Sequence, residues 1–248
     1  MQRYSGKSTS NKPHLVIATS CYLPRWDGIA RFLVDIIPYL KRRFEISVIA
    51  PDFEGKKQQI SGVKEVFMPL SGMIIGDYTV PVIKRENVID TIRKADIVWV
   101  QSANPMFEKR IMKIAKKYKK KLIAYVHSLE WELFARSTGS PLFYNSLSML
   151  ARRSIVKTYN MCDYLLIPSH DVIHLFNWYK IKPKKIFAPL GVDLKKFRPP
   201  ENKVEAKRRV RINPSTKVIG YVGRLAHEKD LKTLVRAYLR IRDLYDDL

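Results

Sequence analysis

From His14 onward, short apolar runs alternate with stretches in which apolar residues recur every three or four positions. Short runs that are apolar throughout suit strands buried on both faces. The striped stretches suit helices that cover them, so the pattern is that of repeated βαβ units and a parallel sheet. Strands are predicted near 15–20, 46–50, 63–68, 97–101, 122–127, 164–168 and 185–189, with an eighth at 218–222. In the first striped stretch, Ile29, Phe32, Leu33, Ile36, Ile37 and Leu40 fall at offsets 0, 3, 4, 7, 8 and 11, one face of a helix. Pro38 lacks a backbone donor and is expected to kink or shorten that helix. Asn104-Pro105 reads as the cap and first turn of another helix, whose outer face is rich in lysine from 109 to 121.

The expected fold is α/β: a flexible tail over 1–13, a doubly wound Rossmann-like parallel sheet over 14–198 and a proline- and charge-rich hinge over 199–216. Residues 217–248 then read as the first βα unit of a second Rossmann-like domain. An apolar fraction of 46% with 11% aromatics supports a core and excludes wholesale disorder.

Charge is the unusual quantity: 46 Lys and Arg against 23 Asp and Glu, a formal +23. Such a field attracts nucleotide phosphates, anionic lipid or nucleic acid, and solvated helix faces without a partner are the alternative. Nucleic acid is not expected, because neither a recognition motif nor rings spaced for base stacking occur. Cys21 and Cys162 fit no disulfide or metal pattern, and the start of the chain is polar rather than signal-like. No apolar run approaches the ~20 residues that span a bilayer. The expectation is a cytoplasmic protein, peripheral on the inner face of the cell membrane where it touches membrane at all.

Three strand ends carry candidate chemistry. The first leads through Tyr22, Trp26 and Asp27 to Gly28 and Arg31, and Gly28 opens the striped helix, where a bare backbone lets a phosphate approach an amide. Taken alone it reads as an ordinary turn glycine, since no glycine-rich phosphate fingerprint is present. The second ends at His127, placed to bond a sugar hydroxyl, relay a proton or cap the loop. The third ends at Arg224 and Lys229, two cations before a helix, suited to a diphosphate. His170 and His174 are four apart, but a third ligand is missing and the first is followed by Asp171 rather than Glu. No Asp-x-Asp pair occurs, Glu130-Trp131-Glu132 being the nearest approximation, so no metal requirement and no cofactor are expected.

Four blocks in order resemble retaining glycosyltransferases of family 4, which have the two-domain GT-B architecture. They are the segment from Tyr22 to Arg31, Val126-His127, Leu190-Gly191-Val192-Asp193-Leu194-Lys195-Lys196-Phe197, and Gly220-Tyr221-Val222-Gly223-Arg224-Leu225-Ala226-His227-Glu228-Lys229. The resemblance implies transfer of a hexose from a nucleotide sugar to a lipid-linked or cell-envelope glycan, with retention. It implies that Arg224, Lys229 and the Gly28 amide hold the donor diphosphate, that His127 bonds the transferred sugar, and that Tyr22, Trp26 and Arg31 border the acceptor. Asp27, Leu190 and Asp230 stand where the family usually has Gly, Asn and Gly. The family's later Glu-x7-Glu block has no counterpart, so the chain is expected to be incomplete as a lone enzyme. The alternative is a non-catalytic acceptor- or membrane-binding subunit that needs a separate chain carrying the donor domain.

Overall fold

The computed structural model describes residues 12–55, 59–75, 78–82, 85–132, 141–223, 225 and 229–242. Most of the expected tail, residues 1–11, lies outside the described residues. The chain divides into two compact units, Met1–Leu190 and Gly191–Leu248.

The first unit is built on β1 (His14–Ala18), β2 (Glu45–Pro51), β3 (Lys64–Met68), β6 (Ile97–Val100), β7 (Lys121–Tyr125), β8 (Tyr164–Ile167) and β9 (Lys184–Phe187). They form one seven-stranded sheet, ordered β3-β2-β1-β6-β7-β8-β9, with every pair parallel. Its helices are α1 (Gly28–Leu40), α2 (Arg85–Lys94), α3 (Glu108–Lys117), α4 (Pro141–Tyr159) and α5 (His170–Trp178).

The apolar runs behave as strands because both faces are covered. Leu15 and Ile17 join one core with Leu33 and Ile37 of α1. Val16 and Ala18, alternating with them, join the other with Ile92 of α2, Ile111 and Ala115 of α3, and Phe176 of α5. Period-two alternation within β1 thus feeds two cores from one strand.

Several local expectations met a different outcome. Helix α1 runs on to Leu40 with Pro38 in its last turn. The proline forfeits only one bond there, and the Lys41 amide still donates to the Ile37 carbonyl at 2.9 Å. Asn104 organises a turn ahead of α3 rather than the helix itself: its Oδ1 accepts from the Met106 amide at 2.8 Å, and its carbonyl accepts from Lys109 at 3.0 Å.

A hairpin of β4 (Leu70–Ile75) and β5 (Tyr78–Pro81) stands apart from the main sheet. Its register shifts between Leu70 and Ile74, around Gly72 with φ +75°, which hides the alternation that marks strands. In the second unit, residues 218–222 take no strand. A strand needs a neighbour to share its ladder, and no other strand occurs among this unit's described residues. The expected hinge holds a short helix, α6 (Lys203–Arg209), capped by Asn202, whose side chain accepts from Val204 and Glu205. Helix α7 (Leu231–Ile241) follows.

Leu33 is fully buried on the face of α1 that seats the helix on the sheet. Leu33→Ala should therefore destabilise the protein by about 2–5 kcal/mol, read as a lowered midpoint of urea unfolding.

Candidate active site

From β1 the chain winds through β2 and β3 on one side, and β6 then starts the other side of the sheet. Neighbouring loops at β1 and β6 therefore leave the carboxyl edge in opposite directions, and such a switch point is where open α/β sheets hold ligands. The loops after β1, β6 and β7 meet at this edge.

His127 stands two residues past β7, its ring stacked on Tyr125 at 4.4 Å and edge-on to Phe32 of α1 at 5.4 Å. Its Nε2 lies 3.0 Å from Oε1 of Gln101, at the end of β6. Burial pulls the imidazole down to about 4, against the opposing pull of the Asp27 carboxylate. The ring is neutral at physiological pH. With Nε2 donating to Gln101, Nδ1 is left as the acceptor.

Asp27 shapes the other wall. Its Oδ1 accepts from the Ile29 and Ala30 amides, both at 2.9 Å, and so caps α1. Gly28 is exposed, and nothing lies within 4 Å of where its Cβ would be. The helix start thus presents open backbone, with an acid rather than a second glycine in front of it. Trp26 is exposed, and the Arg31 guanidinium sits over its ring at 5.6 Å while donating to Asp35 at 2.8 Å. Tyr22 is fully buried, and its hydroxyl donates to Glu65 of β3 at 2.8 Å. Burial and that carboxylate both raise the phenol far above its ordinary range.

Two buried carboxyls brace the same edge. Glu108, in the first turn of α3, accepts from the Ser20 amide at 2.6 Å. Burial pushes it up to about 7, while hydrogen bonds from Ser20 and Ser102 pull the other way. Glu130 accepts from the Tyr159 hydroxyl at 2.6 Å and the Ala103 amide at 3.3 Å, and burial raises it too. In sequence, Glu108 reads as a first-turn acid and Glu130 as part of an acidic pair; only tertiary packing makes them struts. Gln101 carried no sequence signal, since an amide at a strand end is ordinary.

The structure thus brings His127 together with the start of α1, through Phe32 and the field of Asp27. Arg224 lies outside the described residues. Lys229 belongs to the second unit, where it is exposed just before α7. His170 stacks on Phe187 at 4.0 Å, and no cluster of three potential metal ligands occurs among the described residues.

A doubly wound parallel sheet with a half-buried histidine and a bare helix start at its switch point defines a Rossmann-like protein of the architecture found in GT-B glycosyltransferases. Residues 26–196 match glycosyltransferase family 4, and the chain belongs to that family. It is 23% identical over 236 residues to a GDP-mannose-dependent alpha-mannosyltransferase of Corynebacterium glutamicum, covering 89% of this chain and 53% of the relative. It is 31% identical over 104 residues to an alpha-monoglucosyldiacylglycerol synthase of Streptococcus pneumoniae, covering 38% and 24%.

Among solved structures, Anabaena HepE in complex with UDP and glucose superposes with a TM-score of 0.59 at 12% identity, over 92% of this chain and 58% of that one. An E. coli structure bound with UDP-2-fluoro glucose gives 0.54 at 13%, over 94% and 61%. At these identities the structural likeness is one of fold. The chain spans 53% of the mannosyltransferase and less of the synthase.

Glu108 takes up its proton more readily folded than unfolded, so the folded state binds more protons between the ordinary carboxyl value and about 7. Stability from this group falls as pH rises through that window. Glu108→Gln should remove the penalty, making the protein about 1–3 kcal/mol more stable at pH 7.5 than at present and flattening the slope in urea titrations. His127 should titrate by NMR near 4, and Gln101→Glu should move that midpoint up towards the ordinary imidazole value by setting a carboxylate beside the ring.

Proposed function

We propose that the protein transfers a hexose from a nucleotide-sugar donor to a glycan acceptor, lipid-linked or part of the cell envelope, with retention of anomeric configuration. The observation that carries this reading is the meeting of neutral His127 with the open start of α1 at the sheet's switch point, in a chain of glycosyltransferase family 4. A mannosyltransferase relative named for GDP-mannose and a fold neighbour holding UDP-glucose support a nucleotide sugar as donor.

In this reading His127 Nδ1 accepts a hydrogen bond from a hydroxyl of the transferred sugar. A neutral ring suits that task, because an imidazolium has no acceptor. The Gly28 amide donates to phosphate or acceptor, and Arg224 and Lys229 neutralise the diphosphate as charge develops on the leaving group. The departing phosphate takes the acceptor's proton, so the reaction needs neither a protein nucleophile nor a metal. Trp26 and Arg31 lie on the acceptor side. Tyr22 acts at the same border through its bond to Glu65, which fixes the loop that carries them.

The reading also sets the protein on the cytoplasmic face of an anionic membrane, held peripherally by its basic surface. No helix among the described residues is long and apolar enough to cross a bilayer.

Calorimetric titration with UDP-glucose and GDP-mannose tests donor binding, and the anomeric signal of the product tests retention. His127→Ala should lower transfer by about tenfold to a hundredfold with unchanged circular dichroism, and Lys229→Ala should weaken donor binding about tenfold. Binding of neither nucleotide sugar would sink the reading. The alternative is a non-catalytic acceptor- or membrane-binding subunit completed by a separate chain that carries the donor domain. Co-purification with a donor-domain polypeptide supports that alternative, and transfer by the isolated chain excludes it.

A further inference from the structure

The charge of the first unit is sorted between the two edges of its sheet. At the carboxyl edge stand Asp27, Asp52, Glu108 and Glu130 beside Arg25, Arg31, Lys109 and Arg110. Arg25 pairs with Asp27 at 3.6 Å, Arg31 with Asp35 at 2.8 Å, and Lys109 donates to Ser154 at 3.0 Å. At the amino edge, where helices end and strands begin, lie the basic runs 41–43, 93–94, 116–121 and 180–185. Most of these cations are exposed, and none takes part in an ion pair among the described residues. Two of the acids at this edge are tied to backbone, Asp96 by the His14 amide and Asp163 by the Leu122 amide.

Two open hollows mark the same edge. One, of about 250 Å³, is lined by Lys116, Lys119, Lys120, Lys121 and Asp163. The other, of about 400 Å³, lies among Arg152, Arg153, Lys157 and Tyr179, along the last two turns of α4 and just past the end of α5. Exposed rings stand beside the charges: Trp178, 81% exposed, is the last residue of α5, and Tyr39, 65% exposed, is in the last turn of α1.

We propose that this amino-terminal edge is the docking face for an anionic lipid bilayer. The inference rests on the membrane association proposed above and assigns it to one face. Lysines predominate in the four runs, and an ammonium is a hydrated point charge suited to a diffuse anionic surface. A ligand recognised by shape would call for the forked guanidinium of arginine. Trp and Tyr beside lysine are the side chains that settle at the headgroup level.

Nucleic acid fits less well. Helices α1 and α5 pack on opposite faces of the sheet, so Tyr39 and Trp178 flank a broad surface and do not line one groove with stacking platforms. Docked this way, the carboxyl edge stands off the membrane by the length of the strands, five residues in β1, or roughly 17 Å. That height suits the sugar end of a lipid-linked glycan better than a lipid headgroup.

Flotation of the full chain with phosphatidylcholine vesicles, and with vesicles of equal parts phosphatidylcholine and phosphatidylglycerol, tests the proposal. Binding is expected only to the anionic vesicles, and it should weaken as salt is raised. Replacing Lys116, Lys117, Lys119 and Lys121 together by Glu should cut binding at least about tenfold, while the same reversal at Lys203, Arg208, Lys232 and Arg236 changes it less than about threefold. A blue shift of tryptophan emission on vesicles should disappear in Trp178→Phe, a readout independent of the lysine variants. No binding by the unmodified protein at low salt defeats the membrane association itself. Equal loss in both charge reversals, an unchanged blue shift in Trp178→Phe, or displacement from vesicles by duplex DNA defeats this docking face.

Discussion

Strands that all run the same way cannot be joined by hairpins, so each connection leaves the carboxyl edge, crosses a face of the sheet and returns to the amino edge. In this protein the rule holds for seven strands, and it sorts the molecule. Loops able to hold a ligand gather at one edge because helices begin there, with free amides and positive dipole ends. Helix ends gather at the other. The strand order then picks the place on the carboxyl edge: only between β1 and β6 do adjacent connections diverge, and Gln101, His127 and the start of α1 are the groups that meet there.

A loop that peels away from a parallel sheet leaves amides with no ladder partner, and the buried carboxyls answer that need. Ser20 and Ala103 follow β1 and β6, and each amide is taken by a carboxyl oxygen, of Glu108 and Glu130 respectively. Burying an acid costs free energy, but leaving a buried amide unpaired costs about 1–3 kcal/mol. Protonation softens the first cost, which is why both groups are held above the ordinary carboxyl range. Their second oxygens find no partner among the described residues. The two glutamates therefore fix the loops around the switch point by means of the same burial that perturbs them.

Much of the fold could be read before any coordinates, because a strand buried on both faces is apolar throughout and a covering helix is striped. The five inner strands of the main sheet announced themselves in this way, and so did α1 with its stripe from Ile29 to Leu40. The edge strands β3 and β9 begin with charged residues and were legible from their apolar ends alone. The hairpin did not, since Gly72 and a shifted register break its alternation. Residues 218–222 have a strand's composition, but pairing is a property of two segments, and composition describes only one.

The site was legible in part for a similar reason. His127 and Gly28 could be named from their positions at strand end and helix start. Burial in the folded protein keeps His127 neutral, and what aims its proton at Gln101 is a contact between residues 26 positions apart. Glu108 and Ser20 are 88 apart. Such pairings depend on strand order, which local pattern does not encode.

The asymmetry of charge asks for a cause beyond helix capping. A cation near a helix carboxyl end gains about 0.3–1 kcal/mol from the dipole, and the gain fades within the last turn. Arg93 and Lys94 close α2 in this way, as Lys116 and Lys117 close α3. Lys120 likewise serves α2, donating to the Arg93 carbonyl at 2.7 Å. Lys119 and Lys121 lie past the end of α3, and Lys180, Lys182 and Lys184 past the end of α5, with like charges as neighbours. Those positions add repulsion that folding alone has no reason to keep. At the anionic surface proposed above the balance would reverse: each added lysine would strengthen association, and the spread of charge along the edge would set the orientation in which the sheet stands on it.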